Sequence, residues 1–443
     1  MLIFKRYHLC LLTLKGNYVK MGLTIKAITG KEITEGAKHM YEDILSSTLE
    51  IIGHLPTPLP QKGALAGITR QYVASPDDMF MNDNYHFPMG TAYLKLGVLG
   101  VAEKAAASAQ NKTNAEEKEL LLAIAQVYRE LSTYFARYAE AVAGEAGDDS
   151  RLCGIARNLR NLSRGKPETF EEALQLTYLM WKMRCLNKPG ADIGRLDVHL
   201  RQWFEKDIAS GETTEEKVLE LLCDFWDLLN ENDSGDTLIN IMVGGRNADG
   251  SDAGSRLSVL MLQATQRCCG SEPHINVRVH PGLDRDIYRE MLKVQLQGQG
   301  QATAYNDAVI IPSLVRFGIP EEIACCYTND GCTEIMLDGY SGIDFAHIDA
   351  VATFELAFNN GDWAERTYRQ TVKYWRKDLP EYFYTPDAAT GFVSGRPEDC
   401  KTFEEFYQQF LRQYAFQTRS RAVMLKRMQD DRMIGARTSV LLN

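Results

Sequence analysis

The chain has 443 residues, 45% hydrophobic and 24% charged, the balance of a globular protein with a large core; this length permits one large domain or two or three smaller ones. A net charge of −10, with no block rich in Lys or Arg, argues against nucleic acid as a partner and for a small molecule. The 10 cysteines are too sparse for a stapled secreted domain, none is spaced Cys-x-x-Cys, and the 8 histidines are scattered, so no disulfide framework and no metal site are expected and a reducing cytoplasm is.

Residues 1–20 place Lys5-Arg6 ahead of Leu9-Cys10-Leu11-Leu12, but the apolar run is too short to span a bilayer and no small-x-small cleavage site follows. They read as an upstream extension, with translation starting at Met1 or Met21, and no other stretch reaches membrane-spanning length. Residues 21–160 read as mostly helical. Within them Leu120, Ile124, Val127, Leu131 and Tyr134 recur at spacings of three and four, which predicts a helix between Glu116 and Gly144 with one buried face. Tyr128, Tyr134 and Tyr138 read as core packing rather than as a binding box.

Residues 161–443 mix helices with β-type runs. Thr169-Phe170-Glu171-Glu172, Thr213-Thr214-Glu215-Glu216 and Thr402-Phe403-Glu404-Glu405 each put Thr three residues before Glu, the reciprocal box that satisfies orphan backbone donors at a helix start. Strands are expected over 238–243, 275–279 and 302–311. In the second, Ile275, Val277 and Val279 alternate with Asn276, Arg278 and His280, giving one apolar and one polar face. Long helical stretches between strands imply parallel crossovers rather than hairpins.

The chemistry is expected at Thr328-Asn329-Asp330-Gly331-Cys332-Thr333-Glu334-Ile335. Asn-Asp-Gly is a turn signal, because Gly tolerates positive φ and the Asn and Asp side chains bond nearby backbone. In extended chain, residues i and i+2 point the same way, so Cys332 and Glu334 would project into one cavity. A buried structural Cys beside a surface Glu fits the same local sequence. As a nucleophile the thiol needs an activating partner, no Cys-His signature supplies one, and a nearby carboxylate disfavours the thiolate. As a carrier of hydrogen atoms the thiol needs shielding from water.

Gly331-Cys332-Thr333-Glu334 resembles the Gly-Cys-Val-Glu of the glycyl radical enzymes, the family of pyruvate formate-lyase, glycerol dehydratase and choline trimethylamine-lyase. Asn306-Asp307-Ala308-Val309-Ile310-Ile311-Pro312 is similar to the family's Asn-Asp-Glu-Val-Ile-Ile-Pro, Ile275-Asn276-Val277-Arg278-Val279-His280 to its Leu-Ser-Val-Arg-Val-His, and Gly194-Arg195-Leu196-Asp197 to its Gly-Arg-Phe-Asp. Glu355-Leu356-Ala357-Phe358-Asn359-Asn360-Gly361 resembles a family Leu-Ala-Leu-Asn-Asn-Gly run, and His86-Phe87-Pro88-Met89-Gly90 its Gly-His-x-x-Pro loop. The matches come in family order over most of the chain.

This resemblance implies an α/β fold, a ten-stranded barrel of two five-stranded half-sheets surrounded by helices, carried by residues 161–443 and incomplete here. It implies Cys332 as the thiyl radical that abstracts hydrogen and Glu334 as general base, for cleavage of a C–O or C–N bond in a small polar metabolite. His86, Asp197, His280 and Asn306 would line the substrate pocket, although a structural role for each is equally open. The implied partners are a radical S-adenosylmethionine activase with an iron–sulfur cluster, a small glycyl-radical subunit and a second copy in a homodimer. No cofactor would bind this chain directly, since the family's Arg-Val-Ser/Ala-Gly-Tyr segment, whose glycine stores the radical, has no counterpart; Val393-Ser394-Gly395-Arg396, Gly339-Tyr340-Ser341 and Arg432-Met433-Ile434-Gly435 each lack part of it. Truncation, a split enzyme, or loss of catalysis would each explain this, and the apolar run Val440-Leu441-Leu442 without a helix stop favours the first two. The competing readings are pyruvate formate-lyase-type C–C cleavage, for which Cys325-Cys326 superficially resembles the paired cysteines, and a non-catalytic binding paralogue.

Overall fold

The computed structural model describes residues 45–46, 48–68, 91–184, 192–231, 239–331, 334–337, 350–361 and 393–430. They fall in two compact units, one holding residues 45–337 and the other residues 350–430. His86, Cys332 and the Gly339 and Arg432 segments lie outside the described residues.

The first unit begins with α1 (Ala92–Gln110), α2 (Ala115–Ala146), α3 (Ser150–Arg164) and α4 (Phe170–Arg184). The helix expected over 116–144 is α2, and Ile124, Val127, Leu131, Tyr134, Phe135 and Tyr138 are all buried along one face of it. The tyrosines pack in the core and use their hydroxyls to hold chain that has no regular structure: Tyr134 donates to Pro56 O at 3.0 Å, and Tyr138 reaches Pro58 O at 2.8 Å and Gly67 O at 2.6 Å. A buried ring thus brings its polar tip to carbonyls that would otherwise be unpaired. Gly97 bends α1 with φ of 72°, and a Cβ there would stand 2.4 Å from Gly165 O, so only glycine lets α1 meet the end of α3. Residue 160, where the sequence pattern changes, lies inside α3, and α2, α3 and α4 share one core with the strands described below.

Three further helices, α5 (Leu196–His199), α6 (Arg201–Ser210) and α7 (Glu215–Asn230), lead into the sheet. Strand β1 (Asn240–Gly244), helix α8 (Arg256–Cys268), strand β2 (His274–Val279), helix α9 (Arg285–Leu296) and strand β3 (Thr303–Asn306) follow in order. The sheet order is β1-β2-β3 and both pairings are parallel, with Ile241 opposite Ile275 and Val277 opposite Ala304. Gly194 adds an isolated parallel bridge on the free side of β1. These are the crossovers that the strand spacing predicts. Ile241, Val243, Ile275 and Val277 join the main core with residues of α7, α8 and α9, while Met242 and Tyr305 on the opposite face join a second, smaller cluster.

Two expectations are corrected. The run 302–311 is not one strand: β3 stops at Asn306, whose side chain caps α10 (Asp307–Arg316) by accepting from Ala308 N at 3.0 Å. A short apolar run such as Val309-Ile310-Ile311 suits either structure, and the cap decides it. The box at 213–216 is also shifted, since Thr214 is the cap of α7 and accepts from Lys217 N at 3.2 Å. At the other two boxes Thr169 and Thr402 accept from Glu172 N and Glu405 N as expected, but each Glu carboxylate reaches one residue further back, to Glu168 N and Lys401 N.

After α11 (Glu321–Ala324) the first unit ends in an antiparallel pair, β4 (Tyr327–Asp330) and β5 (Glu334–Leu337). The second unit pairs α12 (Ala350–Phe358) with α13 (Phe403–Asp430) through Phe354, Phe358, Phe406 and Phe410, with ring centroids 4.6–5.6 Å apart. Among the described residues no helix is long and apolar enough to cross a membrane, and the sheets hold three and two strands.

The α7–α8 packing is fixed by Trp226 Nε1 donating to Thr265 Oγ1 at 2.9 Å, with both residues buried. Thr265→Val preserves shape and strands a buried N–H. We expect a loss of about 1–3 kcal/mol, read as a lower urea midpoint with an unchanged slope.

Candidate functional site

The polar face of β1 and β2 is covered by β4, and the contact is made of amides. Asn240 on β1 accepts at its Oδ1 from Asn276 Nδ2 of β2 at 2.9 Å and from Asn329 Nδ2 of β4 at 2.7 Å. Its own Nδ2 donates to Asp192 Oδ1 at 2.8 Å and to Gly331 O at 3.1 Å. The Asp192 carboxylate accepts from Asn240 N at 2.7 Å and, through its other oxygen, from Gly331 N at 3.2 Å. Asp192, Asn240, Asn276 and Asn329 are all buried. Both backbone groups of Gly331, the residue before Cys332, are therefore held from β1 and from the segment beside it.

A second buried group lies beside the first. Arg278 of β2 and Asp307 at the start of α10 are both 0% exposed and form a two-pronged ion pair, Nε to Oδ1 at 2.9 Å and Nη2 to Oδ2 at 2.8 Å. Tyr327 on β4 donates its hydroxyl to Asp307 Oδ1 at 2.7 Å, and its ring lies 4.1 Å under the guanidinium. Arg278 Nη1 also donates to Cys325 O at 2.7 Å, and Arg246 N donates to Asp307 Oδ2 at 2.8 Å. Burial pushes the Asp307 carboxyl up, but the hydrogen bond and charge of Arg278, with Tyr327 and Arg246 N–H, more than reverse this and hold it below the usual carboxylate range. Burial, against the opposing pull of Arg278, raises the Tyr327 phenol. Gly245 has φ of 87°, and a Cβ on it would stand 2.5 Å from Arg278 Nε, so its lack of a side chain makes room for the guanidinium.

The residues expected at the site divide as follows. Glu334 opens β5, pairs across the hairpin with Asp330 and is exposed. The connection between the paired residues Asp330 and Glu334 contains Cys332. Asp197 is buried and holds backbone and helix together, accepting from Gly244 N at 2.9 Å and Ser258 Oγ at 2.7 Å, with Arg195 Nε 3.6 Å away. His280 Nδ1 accepts from Gly282 N at 3.2 Å, so Nε2 carries the proton and donates to Asp252 Oδ1 at 3.2 Å. Asn306 is the helix cap already described. These hydrogen bonds of Asp197, His280 and Asn306 tie backbone and helix ends together, and none of them runs to the β4–β5 hairpin. Cys325 is buried in the small apolar cluster, which raises its thiol, whereas Cys326 is exposed.

Asp192, Asn240, Asn276 and Asn329 escaped the sequence reading as one group. The alternation along β2 put Asn276 and Arg278 on the polar face, but nothing local pairs Asp192 with a glycine 139 positions away. Among the described residues no group of three His, Cys, Asp or Glu is arranged to hold a metal ion.

Two consequences can be measured. Arg278→Met leaves Asp307 charged and buried, which costs about 3–5 kcal/mol, and adding Asp307→Leu recovers most of it; a double variant no more stable than Arg278→Met contradicts the pairing. Because the folded carboxyl is held low, its contribution is fully present above the unfolded value near pH 4 and is lost as pH falls through the folded one. Acid unfolding of wild type should therefore show a stability loss below about pH 4 that is reduced in the double variant.

A family description, "Pyruvate formate lyase-like", matches residues 79–441. Over 315 residues the chain is 29% identical to the probable dehydratase YbiW of Escherichia coli, covering 64% of this chain and 38% of the relative. Over 370 residues it is 25% identical to the (2S)-3-sulfopropanediol dehydratase of Klebsiella oxytoca, covering 75% and 43%. Its fold is similar to a Roseburia inulinivorans structure described for 1,2-propanediol dehydration, with TM-score 0.69, 21% identity, and 89% of this chain and 50% of that one covered. It is likewise similar to the glycerol-bound B12-independent glycerol dehydratase of Clostridium butyricum, with TM-score 0.67, 19% identity, and coverage of 89% and 52%. The chain thus spans about two fifths to half of the length of these proteins. By the family match over most of its length, the chain belongs to the pyruvate formate lyase-like family.

Proposed function

We propose that this chain is the core of a glycyl radical lyase that cleaves a C–O or C–N bond of a small polar metabolite, with Cys332 and Glu334 as its catalytic pair. The observation that carries the proposal is the double clamp on Gly331, which fixes the chain on the near side of Cys332 from two buried residues. Such an anchorage suits a loop that has to present the next side chain at a fixed place. The names of the relatives, dehydratases among them, support the reaction class.

The division of labour among carboxylates supports Glu334 as the base. Asp192, Asp197 and Asp307 each accept a backbone N–H while buried and so serve as fixed acceptors, and the Asp307 carboxyl is held below the usual range by Arg278. A general base has to take up and release a proton, which suits a carboxylate outside these networks. In our reading a glycyl radical, on another domain or a small subunit and installed by an iron–sulfur, S-adenosylmethionine-dependent activase, supplies the unpaired electron. The Cys332 sulfur takes a hydrogen atom from the carbon bearing a hydroxyl, and Glu334 takes the proton of that hydroxyl. The bond from the neighbouring carbon to its leaving group then breaks with the electron pair on the leaving group, which departs with the proton that Glu334 had taken, and the Cys332 S–H returns a hydrogen atom to the product carbon and is left again as the thiyl radical. Glu334 is exposed in this chain, so shielding would come from the rest of a ten-stranded barrel, with His86 among its pocket residues, in a cytoplasmic and anaerobic setting. The same exposure favours a second reading, a binding paralogue without catalysis. The separate environments of Cys325 and Cys326 speak against a paired-thiol C–C cleavage.

The test is anaerobic co-expression with the activase and a glycyl-radical subunit, followed by paramagnetic resonance and turnover assays on diols, choline and pyruvate. We expect a radical signal and lyase turnover, no turnover for Cys332→Ala, and a loss of about 10²–10⁴-fold for Glu334→Gln. A reconstituted mixture with the radical signal but no product from any of these compounds would favour the binding paralogue. The clamp has its own readout: Asp192→Ala should speed hydrogen exchange at Gly331 about 10–100-fold, the equivalent of one charge-assisted hydrogen bond.

A further inference from the structure

The helices α7 and α8 carry two cysteines that the proposed reaction does not use. Cys223 lies on α7 and Cys268 at the end of α8, both half-buried against the main core. Cys268 Sγ is 4.0 Å from Cys223 O, so the Cys268 thiol lies against the turn of α7 that carries Cys223. The helices are held side by side by two unrelated contacts. Arg256 at the start of α8 grips Glu215 at the start of α7 with bonds of 2.8–3.0 Å, and further along Trp226 bonds Thr265 at 2.9 Å. From one cross-link to the next the residue numbers rise on both helices, so α7 and α8 run in the same direction, as the parallel crossovers require. The two cysteines are therefore brought together by the packing of α7 on α8 and not by a loose segment.

We propose that Cys223 and Cys268 form a dithiol site that reacts with low-molecular-weight disulfides and closes to a disulfide between α7 and α8. The Cys223 sulfur, as thiolate, attacks one sulfur of the small disulfide; the S–S bond breaks, a mixed disulfide forms on Cys223, and the first small thiolate leaves and takes a proton. The Cys268 thiol then loses its proton and attacks the Cys223 sulfur, which forms the intrachain bond and expels the second small thiolate. Two protein thiols are oxidised and one small disulfide is reduced to two thiols, so the step balances. The groups around the pair fit this order. The hydrogen bond from Cys268, offset by burial and aided by Arg267 against Asp224 and Asp227, lowers the Cys223 thiol, while the same contact, with burial, raises Cys268. A closed bond would complete a covalent loop that contains β1, whose Asn240 holds Gly331.

The full chain, incubated with oxidised glutathione and then alkylated and digested, gives the test by peptide mass spectrometry and thiol counting. We expect a cross-linked pair of peptides carrying Cys223 and Cys268, with two thiols lost and no glutathione retained on them. In Cys268→Ser the adduct should instead stop as glutathione on Cys223, and in Cys223→Ser the cross-link should vanish while Cys268 remains a free thiol. Circular dichroism of both variants verifies that the fold is retained, and the wild-type peptide map decides the matter without them. Oxidation confined to the exposed Cys153, Cys269 or Cys326, or a Cys223–Cys268 pair fully alkylated after incubation, would overturn the proposal.

Discussion

A single carboxamide, that of Asn240, joins the parallel sheet, the segment beside it and the hairpin that carries the proposed chemistry. It accepts two amide donors and donates to a carboxylate and a carbonyl, which uses all four of its hydrogen-bonding positions. The net worth of each such bond is about 0.5–1.5 kcal/mol, less than an apolar contact of similar size can give. What the arrangement adds is register. If β4 slid by one residue over β1, then Asn240, Asn276 and Asn329 would all be buried with unpaired groups, at about 1–3 kcal/mol each. An apolar layer would tolerate the same slip, because hydrophobic burial has no direction. The position of Gly331, and hence of the chain entering Cys332, is set by that penalty.

The Arg278–Asp307 pair works on the same principle at higher stakes. Taking two charges out of water costs several kcal/mol per ion by order of magnitude, and the pair is sustained because nearly every lone pair and proton finds a partner. Those partners come from the chain after β1, from β4 and from the start of α10, so three connections far apart in sequence converge on one guanidinium. Gly245 gives up its side chain to admit it. The design favours one arrangement of loops at the end of the sheet over others of similar compactness, which is what a site assembled from separate crossovers needs.

Much of this was legible in the sequence where the signal is local. The spacing along α2 fixed its buried face, and the tyrosines proved to be core. The alternation along β2 told its two faces apart, and the strand spacing implied parallel pairing. The sequence reading went wrong where two neighbouring residues offer the same chemistry. Thr213 and Thr214 both fit a cap, and only the backbone of α7 decides between them. Val309-Ile310-Ile311 fits strand or helix, and the decision rests with Asn306. Nothing could have revealed Asp192, because its role is defined by an amide 139 residues away.

Three of the residues that the sequence offered as pocket lining are described, and each makes a hydrogen bond to backbone close to a strand end. Asp197, His280 and Asn306 all sit near ends of strands, where a parallel sheet leaves backbone donors and turns unsatisfied. Asp197 takes Gly244 N, His280 takes Gly282 N, and Asn306 takes Ala308 N. A side chain committed to fixed donors in this way gains pre-organisation. Catalytic groups in such a fold are better sought where the chain itself is clamped and the side chain is not. In this molecule the hairpin between β4 and β5 meets that description: Gly331 is held through its backbone from two directions, and three residues on Glu334 presents an exposed carboxylate.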